Sequence, residues 1–260
     1  MQHQGDRPPA YRREFAEADS AERYDLKEYG ESSWSSTLWR LEQDVLATWL
    51  GSSTFVPRRE RYLDFACGTG RVTEFVAAHF TESVGVDISE AMLTRARARV
   101  PGTRFVAADV MRDESPVQGT FDLITMFRFV LNADPQDRAG ALRWARGLMR
   151  DDTSRVVVNN HSNLWTHKAL TSAARKLRHP RGGVTGNVLS HRQMTRLAEE
   201  AGFTVEDRHG LGHFGGHVQR FVGARRMAAL QQWLSGRGVF QWLGEDQIYV
   251  LAPRPGAKQR

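Results

Sequence analysis

One stretch near the first quarter of the chain, Tyr62-Leu-Asp-Phe-Ala-Cys-Gly-Thr-Gly-Arg71, constrains the fold more than any other. A short apolar run ends at Asp64, a glycine-rich turn follows, and a helix-like segment opens at Arg71. Such a layout suits close approach of backbone to a bound molecule, since glycine places no Cβ in the way. Farther on, Ser83-Val-Gly-Val-Asp87 reads as a second strand that also ends in an acid. Strand, glycine turn, helix and second strand ending in Asp make half of a nucleoside-binding α/β unit.

Dinucleotide sites use G-x-G-x-x-G, in which a pyrophosphate meets a helix N-terminus. Here the pattern is Asp64-x-Ala66-x-Gly68-x-Gly70, without the third spaced glycine. An acid opening the turn is unfavourable beside a pyrophosphate and suits a ligand with a positive amino group. Asp87 would take ribose hydroxyls, because a carboxylate accepts hydrogen bonds from both arms of a diol. S-adenosylmethionine, a nucleoside with an amino-acid tail and no phosphate, meets both demands.

On Asp64-Phe-Ala-Cys-Gly-Thr-Gly-Arg71, Val84-Gly-Val-Asp-Ile-Ser89, Ala107-Ala-Asp109 and Phe121-Asp-Leu-Ile-Thr-Met-Phe127, the chain resembles the class I S-adenosylmethionine-dependent methyltransferases. The resemblance covers roughly residues 60 to 160 and the later sheet more loosely. Ala66 stands where that family often has its first glycine. The resemblance implies a doubly wound α/β fold, a mostly parallel seven-stranded sheet with helices on both faces. It also implies an N-terminal helical lid and a hairpin-like antiparallel final strand pair.

Along the chain, residues 1–23 are polar and mixed in charge and read as a flexible arm. Residues 24–59 follow as the lid, with Leu38, Leu41, Val45 and Trp49 at helical spacing. Tyr24, Tyr29, Trp34 and Arg40 are lid candidates, an Arg there being suited to a methionine carboxylate. The methyltransferase domain spans 60–252, with substrate-facing insertions at 161–189 and 207–245, and 253–260 is a tail. Strands are expected at 61–66, 83–87, 104–108, 121–127, 155–158, 203–205 and 246–251. Ser89 and Ser190 read as helix N-caps, and Pro135 opens a helix with Leu142, Ala145 and Leu148 inward. Alternation of strand and helix argues for a parallel sheet covered on both faces.

Ligands of open α/β sheets sit at the carboxyl ends of the strands, where Asp64, Asp87, Asp109, Phe127 and Asn159 all fall. By resemblance the cofactor set is Asp64, Ala66, Gly68, Gly70, Arg71, Asp87, Ile88, Met92, Asp109, Val110 and Phe127. Asp87 takes the ribose, and Ile88 and Met92 flank the adenine. Asp109 accepts from its amino group, with Val110 as backbone donor. Cys67 reads as a small side chain that fits the turn. After the fourth strand stands Met126-Phe-Arg-Phe-Val-Leu-Asn132, not the Asn/Asp-Pro-Pro-Tyr/Phe of enzymes that methylate base amino groups or glutamine amides. That wall resembles small-molecule and glycan-type members.

For a hydroxyl acceptor the chemistry needs a base, and imidazole titrates near neutrality. His161, after the fifth strand, is the first candidate, and His213 and His217 compete. No third ligand stands at a recognisable spacing from that pair, so no metal is expected. A net charge of +6 invites an anionic partner without choosing one. Arg175-Lys176-Leu-Arg178-His179-Pro-Arg181 fits a solvated face, a phosphate or carboxylate contact, or, with Leu164, Trp165, Leu170 and Leu177, a lipid-linked substrate. No apolar run is long enough for a bilayer, and no apolar leader core is present, so a cytoplasmic enzyme is expected. The favoured reaction is O-methylation of a small-molecule or glycan hydroxyl. Its rivals are an RNA methyltransferase using the basic surface and a non-catalytic cofactor-binding partner protein.

Overall fold

A computed structural model describes residues 33–113, 116–161, 189–213, 224–235, 238 and 244–255. Tyr24, Tyr29, the basic cluster 175–181 and its apolar neighbours, and His217 lie outside the described residues. In chain order the elements are α1 (Trp34–Gly51), β1 (Arg61–Phe65), α2 (Arg71–Ala77), β2 (Glu82–Asp87), α3 (Glu90–Arg99), β3 (Arg104–Ala107) and β4 (Leu123–Met126). Then follow α4 (Pro135–Gly147), β5 (Arg155–Asn160), α5 (His191–Glu200), β6 (Phe203–Leu211), α6 (Ala224–Ser235) and β7 (Asp246–Pro253).

The strands form one seven-stranded sheet in the order β3-β2-β1-β4-β5-β7-β6. Strands β1 to β5 run parallel, and β7 lies antiparallel between β5 and β6. This is the expected doubly wound α/β sheet with an antiparallel final pair. The winding proceeds outward from β1 to β3, then returns across β1 to β4. A switch point between β1 and β4 results, and there the loops leaving the two strands diverge.

Period-two alternation supplies both faces of the core. On β7, Ile248 and Val250 pack with Tyr62, Leu123 and Val157 against α1 and α2. Their neighbours Tyr249 and Leu251 pack with Leu63, Ile124 and Val158 against α4 and α5. The expected stripe on α1 is buried at Leu38, Leu41, Val45 and Trp49. Its N-terminus is capped by Ser33, whose hydroxyl accepts from the Ser36 amide. Helix α1 thus lies as a layer of the core against the sheet. Ser89 caps α3 as expected, and Ser190 caps α5 in a full capping box with Gln193.

Two sequence expectations need correction. Strand β6 runs to Leu211, well past residue 205, so the second insertion starts after 211. A register shift between Val205 and Asp207 breaks the alternation, and Thr204, Glu206 and Asp207 face solvent. That edge strand therefore does not read as a strand from its apolar pattern. On α4 the inward positions are Arg138, Ala141, Leu142 and Ala145. An arginine occupies the stripe where only apolar residues were expected, and Leu148 is half-buried.

Candidate functional site

The exit of β1 sets the site's geometry. Ala66, Gly68 and Gly70 have φ of 53°, 53° and 78°, all in the left-handed region. An L-residue there costs roughly 1–2 kcal/mol, which only glycine avoids. A Cβ on Gly70 would lie 3.0 Å from Ala96 Cβ, so the glycine lets α2 and α3 close together. In β2 a Cβ on Gly85 would lie 2.5 Å from the Phe105 ring and 3.0 Å from Cys67 Sγ.

Asp87, at the end of β2, stitches this turn to the next one. Its Oδ2 accepts from the Gly68 amide at 2.8 Å and its Oδ1 from the Ser89 amide at 2.9 Å. Burial raises its pKa above the usual carboxylate value, and the backbone amides of Ser89, Gly68 and Ile88 oppose that shift. Each oxygen accepts one amide and retains a further lone pair for a ligand.

Asp64 lines the cleft and also has a structural part. Its Oδ2 accepts from Thr73 Oγ1 at 2.6 Å and its Oδ1 from Thr125 Oγ1 at 2.8 Å. Thr125 in turn lies 2.6 Å from the Tyr62 hydroxyl. Burial lifts the Asp64 pKa to about 6, against the lowering effect of the two threonines. The acid thus ties β1 to α2 and β4 beneath the turn. The threonines at 73 and 125 carried no signal in the linear sequence.

An open cleft of about 1070 Å³ lies above the β1–β4 switch point. Asp64, Ala66, Gly68, Arg71, Asp87, Ile88, Met92, Asp109, Val110 and Phe127 all line it. Gly70, alone of the expected cofactor set, is absent from that wall, having gone to the packing against Ala96. Arg71 and Arg128 are the arginines of the cleft wall, whereas Arg40 on α1 is exposed. Met111, Phe129 and Asn132 complete the side beyond β4.

Next to the cleft stands a buried polar network that sequence reasoning missed. Glu42 on α1, Asn159 on β5 and Asp246 on β7 converge on Arg128, just past β4. Arg128 Nη2 lies 3.1 Å from Glu42 Oε1 and 3.6 Å from Asp246 Oδ2. Asn159 Nδ2 donates to Glu42 at 2.9 Å and to Asp246 at 2.5 Å. The Arg128 backbone is left-handed at φ 59°, and its amide donates to Asn159 Oδ1 at 3.4 Å. Burial raises the Glu42 pKa to about 7, Arg128 opposing and Asp246 adding to the rise. Near neutrality Glu42 therefore titrates within the network. Glu42 would read in sequence as a solvated residue between Leu41 and Val45, and only the tertiary fold shows its burial.

The histidines stand apart from the cleft wall. His161 follows β5 and is half-buried, and it does not line the cleft. His213 lies after β6, where its ring and its backbone amide both meet Gln231 Oε1, at 3.0 and 2.8 Å. Among the described residues no cluster of His, Cys, Asp or Glu is suited to a metal ion.

Residues 63–152 match a family model described as a methyltransferase domain. The match begins inside β1 and runs past α4, so it spans the whole cleft wall. The chain is 36% identical over 92 residues to a trans-aconitate 2-methyltransferase of Variovorax paradoxus, covering 32% of this chain and 36% of that one. It is 32% identical over 125 residues to a dTDP-3-amino-3,4,6-trideoxy-α-D-glucopyranose N,N-dimethyltransferase of Streptomyces venezuelae, covering 48% and 50%. The chain thus matches about a third to a half of the length of these curated relatives. Among solved structures, a magnesium protoporphyrin IX methyltransferase from Synechocystis with bound S-adenosylhomocysteine superposes with a TM-score of 0.63. It covers 93% of this chain and 97% of that one at 13% identity, a likeness of fold.

Proposed function

We propose that the chain is an S-adenosylmethionine-dependent methyltransferase acting on a small molecule. The observation that carries this reading is the pairing of a bare left-handed turn with Asp87 across a cleft at the switch point. The residues present fit the cofactor. Backbone at Ala66 and Gly68 can approach its amino-acid portion, and Asp87 keeps acceptor capacity for a ribose diol. Ile88, Met92 and Val110 offer apolar surface to a flat base, and Asp109 an acceptor for its amino group. Arg71 supplies positive charge for the cofactor's carboxylate. S-adenosylmethionine supplies an electrophilic methyl group on sulfur. The chain's own task is to hold the acceptor in line with it and exclude water.

The acceptor enters from the β4–β5 side, past Phe127, Phe129 and Asn132, since the β1–β3 side is committed to the cofactor. For a hydroxyl acceptor we assign the base to His161, on the carboxyl edge at the end of β5. In a second reading a carboxylate is the nucleophile and no proton need be removed. The name of the Variovorax relative is in line with it. Transfer of labelled methyl from S-adenosylmethionine to a metabolite extract tests the activity. Label in a small molecule supports the proposal, and label in RNA or nowhere contradicts it. With the acceptor in hand, His161→Ala separates the two readings. A hydroxyl acceptor predicts turnover slowed by roughly two orders of magnitude, and a carboxylate acceptor little change.

A further inference from the structure

Arg138 is an arginine in the wrong place for a structural residue. It lies in the first turn of α4, on the stripe that buries Ala141, Leu142 and Ala145, and is only 6% exposed. Its Nε and Nη2 are buried and meet no hydrogen-bond acceptor. Burial pulls its pKa down, and Asp134 opposes this only as a charge acting through space. A guanidinium does not shed its proton in a protein, so its burial without an acceptor is a standing cost that an anion would remove.

Arg138 does not itself line the cleft, but its position bears on it. Side chains of a helix lean toward its N-terminus, which for α4 is the end at the carboxyl edge of the sheet. The loop that leads into α4 carries Phe129 and Asn132 in the cleft wall. Met111, also in that wall, packs on α4 so tightly that a Cβ on Gly140 would lie 2.7 Å from its sulfur. The helix spans 13 residues, and the Asp134 side chain makes no capping bond to its amides. The helix-end potential and the guanidinium meet at a point where Asp134 at the N-cap and Asp137 in the first turn are also placed, and neither acid accepts from Arg138 Nε or Nη2.

The sequence carries an independent sign of the same kind. From Thr153 to Ala198 the chain has no Asp or Glu and eight Lys or Arg. From Arg208 to Gly244 it again has none, with five Arg. These two segments bring no carboxylate to Arg138, and the acids outside the described residues fall in 1–32 and at Glu114.

We infer that Arg138 and the N-terminal turn of α4 form an anion-binding site that receives a carboxylate or phosphate group of the acceptor. The ligand class is an acidic small molecule, held by a planar guanidinium fork suited to either anion. Arg138 positions the acceptor and takes no part in methyl transfer. The identification of the anion as the acceptor's rests on the proposed function above. The site itself rests on Arg138.

Thermal unfolding in chloride, inorganic phosphate or citrate at constant ionic strength tests the site. Wild type should gain Tm with phosphate and citrate, saturating in the millimolar range, and Arg138→Met should lose that response. In chloride alone the Met variant should melt at or above wild type, because an unmatched buried charge is gone. An equal response in both proteins, or a Met variant that melts lower or does not fold, overturns the site. Arg138→Lys keeps the charge without the fork, and its apparent affinity for phosphate should fall at least tenfold. Unchanged affinity in the Lys variant contradicts the fork. Fractionation of the acceptor extract on an anion-exchange resin tests the source. Methyl-accepting material should be retained, and its appearance in the flow-through overturns the assignment to the acceptor. S-adenosylhomocysteine binding should be the same in wild type and Arg138→Met. If wild type does not bind it, the methyltransferase reading falls and the phosphate response still decides the site.

Discussion

The carboxyl edge of the sheet divides at its switch point into two unlike halves. On the β1–β2–β3 side the site is built from backbone: three left-handed residues, two amides on Asp87, and glycines that admit close packing. On the β4–β5–β7 side it is built from buried charge: Glu42, Asp246, Arg128 and Asn159 hold one another from four separate elements. Backbone can be shaped to one constant ligand by a short local motif. A charge network joins distant parts of the chain and is sensitive to every member. The first half suits a cofactor shared across a family, and the second an acceptor particular to this chain.

The largest expected effect falls on the charged half. Arg128→Met leaves two fully buried acids without their cation, and should cost about 3–5 kcal/mol of stability by urea unfolding. Loss below about 1 kcal/mol would mean that the acids rearrange or protonate freely, and the network would not be a unit.

The same half should show in the pH dependence of stability. Glu42 rises from 4.5 to about 7, and Asp64, beneath the turn, from 3.8 to about 6. Both carboxyls hold protons more tightly in the fold than in the unfolded chain, so stability is greatest below the unfolded values. It is lost as pH rises through the folded ones, mainly between about 4.5 and 7. For each group the loss is on the order of 3 kcal/mol at most. Glu42→Gln should flatten the Glu42 part of a Tm profile over that window, and an unchanged slope would contradict it.

Smaller effects belong to the backbone half. Gly70→Ala puts a Cβ at φ 78° against Ala96 and should cost about 1–2 kcal/mol. Ala66→Gly should do the reverse, relieving a left-handed alanine for a gain of up to about 1 kcal/mol. A destabilised Ala66→Gly would show that entropy of the unfolded chain outweighs strain at this turn.

The contrast also explains what the sequence shows. The alternation of strand and helix and the Ser89 and Ser190 caps follow from local pattern, the antiparallel final pair from the family resemblance, and the structure has them. Asp64, Asp87, Asp109 and Phe127 of the cleft wall sit at or just past strand ends that periodicity locates, and the other cofactor-set residues of that wall follow from the resemblance. Glu42 and Arg138 are different. Each is a charged residue within a helix, and only packing from elsewhere makes it buried. Asp64 reads locally as a ligand group, and its bonds from Thr73 and Thr125 carry no signal in the linear sequence. The second half of β6, past Val205, escapes detection for a related reason, since its bulge and solvent face hide the alternation.

The division of the edge rests on Asp87 serving the cofactor and Arg138 serving the acceptor. Calorimetric titration of S-adenosylhomocysteine into wild type, Asp87→Ala and Arg138→Met tests it most directly. The account predicts binding to wild type, the same affinity for Arg138→Met, and affinity at least 100-fold weaker for Asp87→Ala. No heat with wild type, or equal binding by Asp87→Ala, would contradict it.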